Sequence, residues 1–108
     1  MNLNNFTPSM HCQLDHQERW DRMQKVVNND LGEIIFSVYD GKAYLCISST
    51  GVYAVIDTVS KTLITAYLPS KSRLDKLYQR ANQETPIEII RIIRKNEKKE
   101  KKIINGWL

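Results

Sequence analysis

The run Thr50–Pro69, TGVYAVIDTVSKTLITAYLP, decides how this chain is read. It holds two β-rich segments, Val52–Asp57 and Thr62–Leu68, joined by a short polar turn, and that pattern specifies a hairpin. Side chains two apart on a strand share a face, so Thr65 and Tyr67 project together. Any chemistry the protein performs is expected to involve that face. The loop length sets the register. A three-residue loop, Val59–Lys61, places Ile56 against Ile64, Ala54 against Ala66, Val55 against Thr65 and Tyr53 against Tyr67. A four-residue loop reverses the last strand and buries Thr65 and Tyr67. The shorter loop is preferred, because it keeps Ile64, Ala66 and Leu68 with the core, and Pro69 then stops the strand.

Two further strands precede the hairpin. Glu33–Tyr39 and Lys42–Ser49 flank Asp40-Gly41, a dipeptide that favours a two-residue turn. That turn pairs Val38 with Ala43, Phe36 with Leu45 and Ile34 with Ile47, all apolar and all on one face. A turn at Thr50-Gly51 extends the face by setting Ile47 against Ala54 and Leu45 against Ile56. The expected sheet over 33–68 is a four-stranded antiparallel meander with one apolar face and one open polar-aromatic face.

Helices are expected on both sides of the sheet in sequence. Residues 1–13 are polar and irregular, and read as a loosely held arm. Asp15 with Glu18 forms a capping-box pattern, and Trp20, Met23, Val27 and Leu31 recur at helical spacing, so a helix is expected over 14–32, with Gly32 ending it. His16 falls on the same stripe as Trp20, and Arg19 lies beside it. Ser72 with Asp75 opens a short helix aligning Leu74, Leu77, Tyr78 and Ala81. Thr85-Pro86-Ile87-Glu88 combines an N-cap, a proline and an acid for a last helix ending at Asn105-Gly106. Glu97 and Lys101 are spaced to pair on it. Trp107 and Leu108 are expected to fold back or to dock a partner. The fold class is α+β, one domain over 1–108, with an N-terminal helix, the meander, and two C-terminal helices within 72–105.

The 108 residues carry 42% hydrophobic and 26% charged side chains, ordinary for a globular domain. No apolar run is long enough to span a bilayer, and no secretory signal is visible, so a cytoplasmic protein without membrane contact is expected. Cys12 and Cys46 are expected to be reduced thiols. The net charge of +4 is concentrated: Arg94–Lys102 holds six basic and two acidic residues, so the rest of the chain sums to zero. A polyanion partner fits that segment, and so does a merely solvated helix face.

Several chemistries lack their motifs. His11, Cys12 and His16 have no accompanying metal-ligand spacing, and no Gly-rich loop or nucleophile elbow occurs. Neither a metal nor a cofactor is expected. A metal-free set remains: His16 and Arg19 on the first helix, Thr65 and Tyr67 on the last strand, and Lys71 and Arg73 just beyond. RNA supplies its own nucleophile, the ribose 2′-OH. The protein then needs only a proton carrier, a role histidine fills near neutral pH, and cations or hydroxyls around the phosphorane. Each residue also has a structural role open to it: His16 packed on Trp20, Arg19 a surface charge, Thr65 a β-former, Tyr67 half-buried filling.

The run Val55–Tyr67, VIDTVSKTLITAY, resembles the end-of-sheet hairpin of phage- and toxin-associated nuclease domains of the barnase/EndoU/colicin/RelE-like ribonuclease superfamily. Those domains pair a helical N-terminal part, often His-rich, with an antiparallel sheet ending in a similar Thr-Ala-Tyr strand. His11, His16, Arg19 and Trp20 match the helical part, and Asp57, Thr65, Ala66 and Tyr67 match the strand, over about residues 11–70. The resemblance implies a metal-independent endoribonuclease. It implies His16 as general acid/base, Arg19 as phosphate clamp, Thr65 as a transition-state hydrogen-bond donor, and Tyr67 stacking a base or positioning the phosphate. It also implies RNA as the substrate and a neutralising immunity or antitoxin protein as a partner. This chain departs from the pattern in having Lys61 where such hairpins often carry glycine, and in having two helices after the sheet. Lys71, Arg73, Arg94, Lys95, Lys98, Lys99 and Lys102 are expected to bind nucleic acid. Two other functions stay open: a non-catalytic nucleic-acid-binding module using the basic helix, and an interaction protein whose isoleucine-rich helix and Trp107-Leu108 make a homodimer or a partner contact.

Overall fold

The computed structural model describes residues 1–106; the expectation for Trp107 and Leu108 lies outside the described residues. The fold is α+β. Its strands are β1 (Thr7–Pro8), β2 (Ile34–Tyr39), β3 (Tyr44–Ser48), β4 (Tyr53–Asp57) and β5 (Thr62–Tyr67). Its helices are α1 (Gln17–Val26), α2 (Lys71–Gln79) and α3 (Ile87–Ile104), with a π-helical turn at His11–Asp15 before α1. Strands β2 to β5 form the expected antiparallel meander. The sheet is nevertheless mixed and five-stranded, in the order β1-β5-β4-β3-β2, because β1 adds to β5 in parallel.

The N-terminal segment is not a loose arm. Leu3, Phe6 and Cys12 are buried. The Leu3 amide donates to the Gly32 carbonyl at 2.9 Å, and the Thr7 amide to the Lys61 carbonyl at 2.8 Å. Three apolar side chains in a polar run suffice to anchor it, and its backbone covers the β5 edge that would otherwise stand unpaired. Helix α1 is shorter than its apolar spacing suggests. It ends at Val26, and Asn28 and Asn29 take positive φ angles of 53° and 61°, which breaks the helix before Leu31. Asp15 does not cap it. His16 holds the N-cap position without a side-chain bond, while the Asp15 carboxylate faces His11.

The expected register of the sheet is corrected at the first two turns and, for the Ile56 pairing alone, at the third. Between β2 and β3 the connection has four residues, Asp40 to Ala43, and Val38 pairs with Leu45 and Phe36 with Ile47. The Asp40 carboxylate accepts from the Lys42 and Ala43 amides, each at 2.9 Å, and those bonds hold its carboxyl below the usual range. Two added residues keep the side-chain parity, so Phe36, Val38, Leu45 and Ile47 still share a face. Between β3 and β4 parity flips. Ile47 pairs with Tyr53 and Cys46 with Ala54, because Ser48 closes a three-residue turn on Val52: its amide donates to the Val52 carbonyl at 2.9 Å and its buried hydroxyl accepts the Val52 amide at 3.1 Å.

The last hairpin combines both loop lengths considered for it. Asp57 pairs with Thr62, leaving four residues in the loop, with Lys61 at φ 57°. Ile64 is then left without a partner, a β-bulge that restores Val55–Thr65, Ala54–Ala66 and Tyr53–Tyr67 as expected. Leu63, not Ile64, enters the core.

Both faces of the sheet carry a core, although Ile35, Ser37, Tyr39 and Tyr44 stay exposed at its β2 end. One carries Cys46, Ala54, Ile56, Leu63 and Ala66 against Trp20, Met23 and Val26 of α1 and against Leu3 and Phe6. The other carries Leu45, Ile47 and Tyr53 against Leu74, Leu77 and Tyr78 of α2 and Ile89 and Ile93 of α3, with Phe36 stacked on Tyr78 at 4.0 Å. The capping of α2 and α3 also differs from expectation. Ser70 caps α2 by accepting the Arg73 amide at 3.2 Å. Pro86 stands at the N-cap of α3, and the Thr85 hydroxyl donates instead to Asp75 at 2.6 Å, tying the two helices together. Lys71 and Thr85 together hold the Asp75 carboxyl below the usual range. Glu97 and Lys101 form no ion pair among the described residues.

Helix α3 joins the two layers. Asn96 is buried and its side-chain amide donates to the Thr50 carbonyl at 2.8 Å, while Ile103 reaches the α1 core. Gly51 has φ +88°, and a Cβ there would meet Asn96 Nδ2 at 2.6 Å and Ile92 Cγ2 at 2.9 Å. Gly51→Ala is therefore expected to destabilise the fold by about 1–3 kcal/mol in urea unfolding. A change within about 0.5 kcal/mol, the scale of neutral surface substitutions, would contradict the close approach of α3 to this turn.

Candidate active site and basic helix face

The candidate site lies along the edge of β5 where the N-terminal turn and α1 meet it. Ser9 sets the position. Its amide donates to the Leu63 carbonyl at 2.9 Å and its hydroxyl to the Ile64 carbonyl at 3.1 Å, the carbonyl exposed by the bulge. The Ser9 hydroxyl also accepts the Cys12 amide at 3.0 Å, so the strand edge and the start of the π-helical turn are pinned by one side chain. Such turns recur at functional sites.

From this turn His11, Asp15 and His16 project into solvent. The His11 and His16 rings meet edge to face with centroids 5.0 Å apart, and His11 Nδ1 lies 3.1 Å from Asp15 Oδ2. Arg19 follows His16 by three residues, so the two are neighbours on the helix surface. Its guanidinium lies over the Tyr67 ring at 5.0 Å, and Tyr67 in turn packs on Tyr53 at 5.1 Å. Arg19 Nε is sealed from solvent with no hydrogen-bond partner, although the side chain as a whole is only half-buried. Its position is held by the cation–π stack.

His16, Arg19 and Tyr67 are thus linked through neighbouring contacts. Thr65 stands apart from that series. It shares a face with Tyr67 and is half-buried, and its hydroxyl makes no hydrogen bond among the described residues. Asp15 is an addition that the sequence offers only as a helix cap, and His11, which the resemblance includes in its helical part, is given no catalytic role there. The signal available is their spacing of four residues, which brings them together within one turn.

The remaining candidate residues divide between α2 and α3. Lys71 is engaged with Asp75 at 2.8 Å. Arg73 is exposed. Burial pushes the Tyr53 phenol up, Tyr67 adds to that, and the positive charges of Arg73 and Arg80 oppose it, which places cationic field at the Tyr53–Tyr67 end of the sheet. On α3 the buried stripe is Ile89, Ile93, Asn96 and, partly, Glu100 and Ile103. The opposite face presents Arg91, Arg94, Lys95, Lys98, Lys101 and Lys102, all exposed. Of the basic residues expected to act from α3, only Lys99 falls off this face, while Arg91 and Lys101 join it. Glu88 and Glu97 flank the face, and Glu100 turns to Arg22 of α1 at 3.5 Å.

Among the described residues no group of three His, Cys, Asp or Glu side chains could hold a metal ion, and no helix is long and apolar enough to cross a membrane. A groove of about 910 Å³ lies between Trp20, Gln24, Asn28 and Ile103 and includes none of His16, Arg19 or Tyr67. The chain matches no protein-family model, and no curated protein or solved structure matches it.

Both cysteines are buried. Burial raises the Cys12 thiol above its ordinary value against the opposing pull of the Ala66 amide and Arg19, and raises Cys46 to about 12. Neither is a nucleophile at neutral pH. Both thiols should resist a disulfide-exchange reagent at pH 8 in the native protein and react in denaturant. Rapid labelling of the native protein would contradict the burial.

Proposed function

We propose that this protein is a metal-independent endoribonuclease of the phage- and toxin-associated kind, acting on RNA through the His16–Arg19–Tyr67 edge of β5. The observation that carries the proposal is the Arg19 guanidinium stacked on Tyr67, one helical turn from His16. A stacked arginine is pre-aimed, and its outer nitrogens remain available for a phosphate. The resemblance of the Thr-Ala-Tyr strand to ribonuclease hairpins supports the same conclusion. Lys61 takes the left-handed conformation for which such hairpins use glycine, so the backbone shape is kept at a cost of about 1 kcal/mol.

In the proposed reaction, His16 accepts the proton of a ribose 2′-OH as its oxygen attacks the adjacent phosphorus. The bond to the 5′-oxygen breaks, and the leaving oxygen takes a proton from His11, whose ring is oriented by Asp15. The products are a 2′,3′-cyclic phosphate and a 5′-hydroxyl. Arg19 stabilises the charge on the phosphorane oxygens. Thr65, with its free hydroxyl, donates to the same group once RNA is bound, and Tyr67 offers its remaining ring surface to a base. The site is an open edge, which suits a polymer better than a small molecule. A cytoplasmic location and a neutralising partner protein belong to this proposal.

The basic face of α3 favours a second function, nucleic-acid binding without cleavage. One assay separates the two. Purified protein is incubated with total RNA in EDTA. Cleavage is expected, falling about a hundredfold or more in His16→Ala and substantially in Arg19→Ala. No cleavage, or cleavage retained equally in His16→Ala and Thr65→Ala, would leave only the binding function.

A further inference from the structure

We infer that the outward face of α3 is a binding track for the sugar-phosphate backbone of structured RNA. That the nucleic acid is RNA rather than DNA rests on the proposed function; the track itself rests on charge and shape. Six cations, Arg91, Arg94, Lys95, Lys98, Lys101 and Lys102, lie on one side of one helix, and none forms an ion pair among the described residues. Without them the chain's net charge of +4 becomes −2. The rest of the molecule therefore repels a polyanion weakly, and α3 is where one is held.

The geometry distinguishes a nucleic-acid backbone from an acidic protein. The cationic row from Arg91 to Lys102 extends roughly 16 Å at the helical rise of 1.5 Å per residue. That length is enough to face several successive phosphates, about five by the roughly 3.4 Å axial spacing per strand of a DNA duplex. Between Arg91 and Lys102 the exposed face has no apolar or aromatic side chain. Protein interfaces are built around an apolar or aromatic centre, and lysine is depleted there. Platforms for unpaired bases need aromatic rings to stack on. A lysine-rich row without either binds phosphates, which positions a nucleic acid without reading its sequence. The opposite stripe of α3 is packed on both layers of the core, so the track is rigidly oriented relative to α1, the helix that carries Arg19.

The test uses the full chain with His16→Ala as background, so that RNA stays intact. Binding of a hairpin RNA is measured over a range of salt concentrations, alongside a uridine oligomer of equal length and poly-glutamate as competitor. Replacing Arg91, Lys95, Lys98 and Lys102 by Gln keeps helix propensity nearly constant. The expected result is a fall in the slope of log K against log salt of about 3 to 4, near 0.9 for each phosphate no longer neutralised, with affinity at low salt reduced roughly tenfold or more. A Lys98→Gln, Lys102→Gln double variant should lose about half that slope, and it serves if the fourfold variant does not fold. An unchanged slope overturns the track. Equal binding of the uridine oligomer overturns the preference for structured RNA. Poly-glutamate competing as well as hairpin RNA at equal charge overturns the nucleic-acid assignment in favour of an acidic protein. Cleavage by the wild-type chain is read separately. Its absence with slope-dependent binding intact removes the ribonuclease and leaves the track; its presence with an unchanged slope does the reverse.

Discussion

Ile64, the one residue of β5 without a partner across the hairpin, sets which side chains reach which layer. The four-residue loop starts the strand with Leu63 facing α1, and the bulge then turns Thr65 and Tyr67 toward α2 and α3. A continuous ladder from the same loop would put Thr65 and Tyr67 on the α1 face beside Leu63. The bulge is held by more than the hairpin. Ser9 binds the Ile64 carbonyl, and β1 pairs with the strand just before it. The N-terminal segment is therefore part of what defines the sheet register.

The same pin positions the candidate site. Because Ser9 also receives the Cys12 amide, the turn carrying His11, Asp15 and His16 starts from the bulge itself. Arg19 then passes from the α1 layer to the Tyr67 ring on the far face, around the edge of β5 beyond the reach of β1. Helix α3 bridges the layers at another place, through Asn96 at the Thr50-Gly51 turn and Ile103 against the α1 core. Its buried stripe serves the fold and its outer face keeps six cations free, so one element serves stability and recognition on opposite sides.

Much of this order is legible from patterning. Strand positions, the α+β class and the two C-terminal helices follow from alternation and helical spacing, and the Tyr53–Tyr67 pairing follows too, although its loop does not. Three features are hidden for physical reasons. Ser48 and Asp40 hold their turns by side-chain bonds to backbone amides, so the loop lengths depend on hydrogen bonds that hydrophobic pattern does not encode. The first segment looks polar because its burial depends on three scattered residues, Leu3, Phe6 and Cys12. A second covered sheet face is masked by Thr65, Tyr67 and Tyr53, which read as an open surface yet line the boundary of the α2–α3 core. Residue type and resemblance are enough to nominate His16, Arg19 and Tyr67 as candidates, and the structure brings Arg19 onto the Tyr67 ring. The resemblance includes His11, but its contact with Asp15 is not legible, since it is made by a π-helical turn that sequence periodicity does not announce.

The bulge is most directly tested by comparing two neighbouring truncations in urea unfolding. Leu63 is fully buried, whereas Ile64 is 38% exposed. Leu63→Ala should cost about 2–5 kcal/mol as a core truncation, and Ile64→Ala under about 1 kcal/mol. The reverse order would mean that Ile64 faces the core opposite Ile56 and that the hairpin runs from a three-residue loop without a bulge, contrary to the register in which Leu63 opposes Ile56.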